Sequence, residues 1–187
     1  FMIAILEAQV TPEIKIKNPF SDVKESDWFY NTVLLNLEKG LLKGTSANAF
    51  SPNAPMTRGM FATVLARIDG ADLSGYTTTS FNDVDMGKYY GPSVAWAAEK
   101  GIIVGYGNGL FGAEDSITRE QMAAMLANYI KVRNIKAHAV KPETVKYADD
   151  SQISSWAKDS VYKMQVHGLI GGRPGNIYDP KSIATRA

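Results

Sequence analysis

Apolar residues recur at helical spacing in two kinds of segment that alternate along the chain. The first kind predicts a helix of about three turns that ends at a glycine. In the first copy its apolar positions are Trp28, Phe29, Val33, Leu34 and Leu37. The second kind predicts a helix that begins at a Thr-Arg pair, and in the first copy its apolar positions are Met60, Phe61, Val64, Leu65 and Ile68. The pattern therefore predicts an all-α protein built from helix pairs.

Residues with strong preferences for helix ends bound these segments. Ser26 or Asp27 is expected to cap the first helix, and Gly40 stands where that helix stops. Thr57 and Thr118 are expected to cap the second helices, and Thr118 with Gln121 has the spacing of a capping box. The segment from 44 to 55 is polar and rich in turn residues, so it is predicted to be a loop joining the two helices.

Seven columns of identical or similar residues recur at the same offsets in three copies. The columns are Phe20/Phe81/Tyr147, Asp22/Asp83/Asp149, Trp28/Tyr89/Trp156, Gly40/Gly101/Gly168, Gly44/Gly105/Gly172, Phe50/Phe111/Tyr178 and the Thr-Arg pairs ending at Arg58, Arg119 and Arg186. They predict repeats over 20–80, 81–146 and 147–187, with the third incomplete at its second helix. A unit of roughly 60 residues buries little alone, so we expect the three to pack around one core as a compact pseudo-threefold body.

The amino-terminal residues 1–9 resemble the helix that the third repeat lacks. Phe1 falls where Phe61 and Met122 fall, and it precedes Phe20 by nearly the interval that separates Phe61 from Phe81. One hypothesis is that residues 1–9 fill the third helix position, within the molecule or by exchange between neighbours. The alternative is that residues 1–19 are a remnant of a preceding repeat and its linker. The start lacks the basic segment and cleavage site of a signal peptide, so the chain is expected to be a piece of a longer protein.

Composition excludes several classes of function. The 187 residues are 45% hydrophobic and 21% charged, as in an ordinary globular protein. A net charge of +1 argues against nucleic acid as a partner. The absence of cysteine excludes disulfides and thiolate chemistry, and no apolar run reaches the ~20 residues that cross a bilayer. The two histidines, His138 and His167, do not recur between repeats, so we expect no catalytic triad, no metal site and no cofactor.

Candidate binding chemistry lies in the arginine column. Arg58, Arg119 and Arg186 occupy the first position of a predicted helix, where the helix dipole disfavours a cation by ~0.3–1 kcal/mol. A guanidinium beside helix-start amides makes a receptor for a carboxylate or phosphate. The alternative is that each arginine pairs with an aspartate of the Asp22 column and locks the repeat.

The aromatic and glycine columns have two interpretations each. Phe50, Phe111 and Tyr178 are expected in the core. Trp28, Tyr89 and Trp156 are either core residues or, near a glycine-rich loop, faces for a sugar ring. Gly44, Gly105 and Gly172 are expected to serve turn geometry first, and close approach of a ligand to the backbone second. The aspartates Asp22, Asp83 and Asp149 fit turn or capping roles.

These columns resemble the motifs of the S-layer homology domain family. The Phe-x-Asp, Gly-x-x-x-Gly and Phe-near-Pro motifs are present, and the family's Ile-Thr-Arg-Ala-Glu stretch is matched at 56–60, 117–121 and 184–187. The family glutamate is replaced by Met60 and Gln121, Tyr89 replaces a tryptophan, and Ala113 replaces a proline. We therefore expect three unequal sites.

The resemblance implies a secreted anchor of a bacterial cell wall or S-layer. Such repeats form a spindle-like unit that binds secondary cell-wall polysaccharide bearing a pyruvate ketal on N-acetylmannosamine. By this resemblance the ligand is held by the arginine, aromatic, aspartate and second-glycine columns, which are Arg58, Arg119, Arg186, Trp28, Tyr89, Trp156, Asp22, Asp83, Asp149, Gly44, Gly105 and Gly172. The alternative function is a protein–protein module for S-layer or scaffold assembly. Changing all three arginines to alanine is expected to abolish wall binding and to leave the helical content intact.

Overall fold

A computed structural model describes residues 14–136 and 143–187. Within these ranges the chain forms five α-helices, one short 3-10 helix and isolated β-bridges. In chain order the helices are α1 (Tyr30–Glu38), α2 (Arg58–Asp69), α3 (Gly91–Glu99), α4 (Arg119–Val132) and α5 (Lys158–Val166), and the 3-10 helix is Asp150–Gln152. The all-α prediction is confirmed. Each repeat opens with α1, α3 or α5, and α2 and α4 are the second helices of the first two repeats.

The first helix of each repeat begins later than the apolar pattern predicts. In α1 the first helical residue is Tyr30, and Trp28 lies in the turn before it. The cap position is Phe29, which makes no side-chain capping bond, so capping by Ser26 or Asp27 is wrong. Asp27 instead accepts a hydrogen bond from the Lys24 amide at 2.7 Å and closes the preceding turn. The chain therefore enters the helix through a tight turn that leaves the tryptophan outside it.

The other predicted helix ends are confirmed. Gly40 and Gly101 adopt left-handed φ values of 68° and 70°, which glycine reaches without the steric cost of a Cβ. The Thr57 hydroxyl accepts the Met60 amide at 3.1 Å at the start of α2. Thr118 and Gln121 form both bonds of the capping box at the start of α4.

A closed ring of backbone hydrogen bonds joins the three repeats. The Met56 amide donates to the Ala184 carbonyl, the Ala184 amide to the Ile117 carbonyl, and the Ile117 amide to the Met56 carbonyl, each at 2.9 Å. One residue from each repeat takes part, at the same position in the repeat. The three repeats are therefore related by a pseudo-threefold arrangement that the backbone hydrogen bonds themselves display.

The main core is shared between repeats, and a smaller buried cluster of Phe20, Val23, Val33 and Phe50 lies within the first repeat. Helix α2 of the first repeat packs against α3 of the second, and α4 of the second packs against α5 of the third. Leu65, Val94, Leu126 and Val161 are fully buried in one cluster. Each Å² of apolar surface removed from water stabilises a protein by roughly 25 cal/mol. Because these contacts join helices of different repeats, their burial stabilises the three repeats as one assembly.

Two sequence predictions fall outside the described residues. They are the helix over residues 1–9 and the position of His138. Within the described ranges, no helix is long and apolar enough to cross a membrane. The same ranges contain no group of three or more acidic or histidine side chains arranged to hold a metal ion.

Candidate functional site

The aspartate column fixes the loop that joins the two helices of each repeat. The carboxylate of Asp22 accepts the amides of Phe50 at 2.8 Å and Ser51 at 2.7 Å. Asp83 and Asp149 make the same two bonds in their own repeats. The Phe50 amide contributes most to lowering the pKa of Asp22 below its ordinary value. Burial alone would raise the pKa of Asp83, but the amide bonds outweigh it and lower that pKa. The turn-forming interpretation of this column agrees with these contacts.

The arginine column reaches out of its own repeat into the loop of the next one. Arg58 Nε donates to the Phe111 carbonyl at 2.8 Å and its Nη2 donates to the Val104 carbonyl at 3.2 Å. The equivalent contacts join Arg119 to Tyr178 and Gly171, and Arg186 to Phe50 and Lys43. The three arginines thus link the repeats in cyclic order, first to second, second to third and third to first.

Each guanidinium also lies against the aromatic ring of the residue whose carbonyl it binds. The distances from Cζ to the ring centroids are 4.5 Å for Arg58, 5.0 Å for Arg119 and 4.7 Å for Arg186. Arg58 and Arg186 are only 5% and 8% exposed, and burial lowers the pKa of both. Among the described residues none of the three forms an ion pair with the aspartate column. The alternative that each arginine pairs with an aspartate is therefore wrong, because the partners are backbone carbonyls. The arginines do nevertheless hold the repeats together.

The helix-start amides are not open to a ligand, which corrects the predicted anion receptor. The Arg58 amide donates to the Asp115 carbonyl at 2.9 Å, and the Gly59 amide donates to the Ala113 carbonyl at 2.8 Å. The Arg119 amide donates to the Ser182 carbonyl at 3.0 Å in the same way. These hydrogen bonds attach each helix start to the neighbouring repeat. They also satisfy N–H groups that would cost free energy if they were buried without a partner. The guanidinium is therefore the group at each helix start that can still bind an anion.

The second glycine of each repeat serves close packing rather than turn geometry. Gly44, Gly105 and Gly172 are absent from the positions with positive φ. A Cβ on Gly105 would lie 2.4 Å from the Leu110 carbonyl oxygen and 2.6 Å from the Phe81 ring, and Gly44 is equally crowded. The prediction that these glycines serve turn geometry first is wrong, because what they need is the missing side chain and not a left-handed backbone.

Two clefts bring the predicted residues together, and each draws on all three repeats. Groove A has a volume of about 420 Å³ and is lined by Arg58 of the first repeat, Gly105 of the second and Trp156 of the third, with Tyr106 and Gln121 among its other residues. Groove B has a volume of about 400 Å³ and is lined by Trp28 of the first repeat, Arg119 of the second, and Gly171 and Arg173 of the third.

The same cyclic order places the remaining predicted residues around a third junction, here called groove C, whose arginine, Arg186, also lines groove B. Arg186 of the third repeat donates to the Lys43 carbonyl, next to Gly44 of the first repeat. Tyr89 of the second repeat lies within electrostatic reach of Arg186. Burial is the main reason that the pKa of the Tyr89 phenol is raised. The three grooves therefore share one plan, in which the arginine, the glycine loop and the exposed aromatic come from three different repeats.

The two aromatic columns separate cleanly in the structure. Phe50, Phe111 and Tyr178 are fully buried, as predicted. Trp28, Tyr89 and Trp156 are 80%, 57% and 58% exposed, so the core interpretation of this column is wrong. Exposed aromatic faces beside a cleft suit stacking against a sugar ring.

Three residues at the junctions between repeats lie outside the set predicted from the sequence: Tyr106, Arg173 and Glu120. Tyr106 and Arg173 each follow the second glycine of a repeat, outside the recurring columns. Glu120 is buried and accepts hydrogen bonds from Lys181 and from the amide and hydroxyl of Ser154. Adjacency to a column glycine was the available signal for Tyr106 and Arg173. Glu120 occupies an alanine position of the motif, and that departure was its signal.

Three helical repeats closed into a ring, with a groove at each junction, define this chain as a repeat-built binding module. The sequence matches the S-layer homology domain over residues 19–62, 80–123 and 146–187. The chain belongs to the S-layer homology domain family.

Similar proteins carry the same module within much longer chains. The sequence is 34% identical over 168 residues to an endoglucanase of Bacillus sp. (strain KSM-635), covering 90% of this chain and 17% of that protein. It is 30% identical over 190 residues to the exoglucanase XynX of Acetivibrio thermocellus, covering 98% and 16%. It is 28% identical over 184 residues to the S-layer protein sap of Bacillus anthracis, covering 98% and 22%.

Family membership establishes the general function. The chain is a cell-wall-binding module of the bacterial cell surface, and modules of this family bind cell-wall polysaccharide. The module is not itself catalytic. The chain spans less than a quarter of the length of these relatives, and the names of the two glucanases assign catalytic activity to proteins in which the matched region is a small part.

Proposed function

We propose that this module anchors its parent protein non-covalently to the wall by binding a pyruvylated secondary cell-wall polysaccharide in the grooves between repeats. The parent protein is then secreted and resides in the wall or S-layer of a Gram-positive type of envelope. The observation that carries this proposal is the joint presence of an arginine, a glycine loop and an exposed aromatic in grooves A and B, with the same three parts close together at the third junction.

The chemistry of the grooves suits an acidic sugar. A pyruvate ketal bears a carboxylate, and a guanidinium binds carboxylates by charge-assisted hydrogen bonds. Because Nε and one Nη2 hydrogen of each arginine are already engaged with carbonyls, only the other guanidinium hydrogens remain for the ligand. Arg119 is only partly buried, which leaves it the most accessible of the three. The exposed tryptophan of the same groove offers its face to the sugar ring.

Calorimetric titration with purified wall polysaccharide tests the proposal. We expect binding to the native polymer and a loss of at least tenfold in affinity, or about 1.4 kcal/mol, after mild acid removal of the ketal. Polysaccharide taken through the same handling and re-purification without the acid step, so that it keeps its ketal, is the control. Equal affinity for both polymers, together with self-association of the module, would instead favour the protein–protein function.

We also propose that residues 1–9 supply the helix that packs on α1. Helices α3 and α5 each pack against the second helix of the preceding repeat, whereas among the described residues no helix packs extensively on α1. The open part of groove B that faces α1 is apolar, with Val33, Phe61 and Leu169 in its wall. The register of the repeats aligns Ile5 with the fully buried Leu65 and Leu126.

Changing Ile5 to Asp tests this placement, because a carboxylate in an apolar helix contact destabilises by roughly 3 kcal/mol. We expect the melting temperature to fall by about 10 °C, since a domain of this size loses ~2–4 °C per kcal/mol. Glu7→Ala, at a more exposed register position, is the control and should melt like the parent. Equal melting of both variants would contradict the proposal. Light scattering on dilution distinguishes insertion within one molecule, which keeps the monomer mass, from exchange, which gives a dimer.

A further inference from the structure

One position differs in chemistry between three grooves that otherwise share a plan. It is the residue directly after the second glycine of each repeat: Thr45, Tyr106 or Arg173. The neighbours of this position repeat closely, since the preceding glycine is packed against the first aromatic of its repeat in all three copies. The difference is therefore confined to one side chain placed at the edge of each groove.

Each of these side chains contacts the far end of its own loop. The contacts are Thr45 Oγ1 with Ser51 Oγ at 2.7 Å, Tyr106 OH donating to Asp115 Oδ2 at 2.9 Å, and Arg173 donating to Asp179 and, at 3.1 Å, to Ser182 Oγ. The three positions are hence structurally equivalent but present a hydroxyl, a phenol and a guanidinium. Their anchored geometry fixes a different functional group in each groove.

In groove A the phenol covers the arginine. Arg58 Cζ lies 4.8 Å from the Tyr106 ring centroid and 4.5 Å from that of Phe111, so the guanidinium is held between two rings. The Asp115 carboxylate that binds Tyr106 also opposes the charge of Arg58. Tyr106 itself is 48% exposed and shares the cleft with Trp156. Groove A thus presents two aromatic faces around a compensated, shielded cation.

In groove B the equivalent residue adds a charge. Arg119, Arg173 and Arg186 all line the cleft, and Asp179 forms an ion pair with Arg173. Groove B is thus lined by three guanidinium groups, whereas groove A is lined by one, that of Arg58, whose charge Asp115 opposes. The side chain of Arg173 is about half exposed, so it remains available to a ligand. Arg119 is also less buried than Arg58.

We infer that residues 106 and 173 are specificity-determining: groove B takes an acidic sugar residue and groove A takes a neutral sugar ring. This inference rests on the proposed function, because it assigns different residues of one polysaccharide to different grooves. A charged group in groove B gains from an uncompensated guanidinium. In groove A a carboxylate would meet Asp115, while a ring gains from Tyr106 and Trp156.

The tryptophans allow each groove to be observed separately. Trp28 reports on groove B, Trp156 on groove A, and Trp96 is buried and serves as an internal reference. We expect 5-fluorotryptophan ¹⁹F spectra to show that pyruvylated N-acetylmannosamine glycoside shifts the Trp28 resonance. The same glycoside without the ketal should shift the Trp156 resonance in preference to that of Trp28.

Exchanging the two specificity residues should change the preference. Arg173→Tyr is expected to weaken binding of the ketal glycoside at Trp28 about tenfold and to make it less sensitive to salt. Tyr106→Arg should create a response to the ketal glycoside at Trp156. Lys131→Gln removes a charge from the exposed face of α4 and is the matched control, with no change at either tryptophan.

Three outcomes would overturn the inference. They are an equal response of Trp28 and Trp156 to the ketal glycoside, an unchanged preference after both exchanges, and silence of both resonances towards both glycosides while whole polysaccharide still binds. Failure of the whole polysaccharide to bind would instead overturn the proposed function, so the two failures are distinguishable.

Discussion

Replacing Trp28, Tyr89 and Trp156 together by alanine is expected to abolish co-sedimentation of the module with purified cell walls. Each residue stands exposed at a different groove, and truncating a central aromatic of a binding site costs at least about 2 kcal/mol, or ~30-fold in affinity. Because a polymer engages several grooves at once, losing all three removes the multivalent gain as well. The combined loss of affinity is therefore large enough that no bound protein should be detected by sedimentation.

The fold should survive this triple substitution. The three side chains lie largely in solvent, and their internal contacts are edge-on packing of Trp28 on Phe29 and of Tyr89 on Tyr90. Such contacts contribute about 1 kcal/mol each. A cooperative thermal transition and an unchanged far-ultraviolet circular dichroism spectrum would verify this. Val132→Ala, at an exposed apolar residue outside grooves A and B, is the control and should bind walls normally. Full wall binding by the triple variant would contradict the assignment of the grooves.

Arg58→Ala is expected to lower the free energy of unfolding by roughly 3 kcal/mol, because it leaves the buried Phe111 carbonyl unpaired and also removes the bond to the Val104 carbonyl. Total stabilities of about 5–15 kcal/mol make this a large fraction. Urea unfolding followed by circular dichroism measures it. Lys88→Ala, at an exposed ion pair 3.8 Å long, is the control and should change stability by less than about 0.5 kcal/mol.

This expectation revises the one drawn from sequence. An arginine dedicated to ligand would tolerate alanine, so a triple arginine variant would keep its helices and lose only wall binding. Burial of Arg58 and Arg186 between repeats instead predicts that the triple variant fails to fold. An Arg58→Ala protein with unchanged stability and lost wall binding would show that the guanidinium serves the ligand alone.

Local rules predicted the elements of this fold well. The apolar spacing located α2 and α4, Thr57 and Thr118 marked their starts, and Gly40 marked the end of α1. These features depend on residues within one or two turns of each other, so the sequence carries them directly. The start of α1 could not be predicted in this way, because Asp27 is suited both to capping a helix and to closing a turn. In the structure it closes the turn that precedes α1.

Contacts between repeats could not be predicted from the columns. A column shows that Arg58 occupies a special position, but not that its partner is the carbonyl of Phe111, 53 residues away. Likewise the helical spacing of Trp28 is compatible with a core face or with solvent, and only the packing decides. The recurring columns were therefore visible in the sequence, whereas their division into structural and exposed residues was not.

The ring through Met56, Ile117 and Ala184 sets a rule for how such modules change in evolution. A linear array gains or loses one unit at its end without harming the rest. Here the last unit returns to the first, so adding or removing a single copy breaks the ring of backbone hydrogen bonds that joins all three units. Duplication or loss of this module is consequently expected to proceed in sets of three.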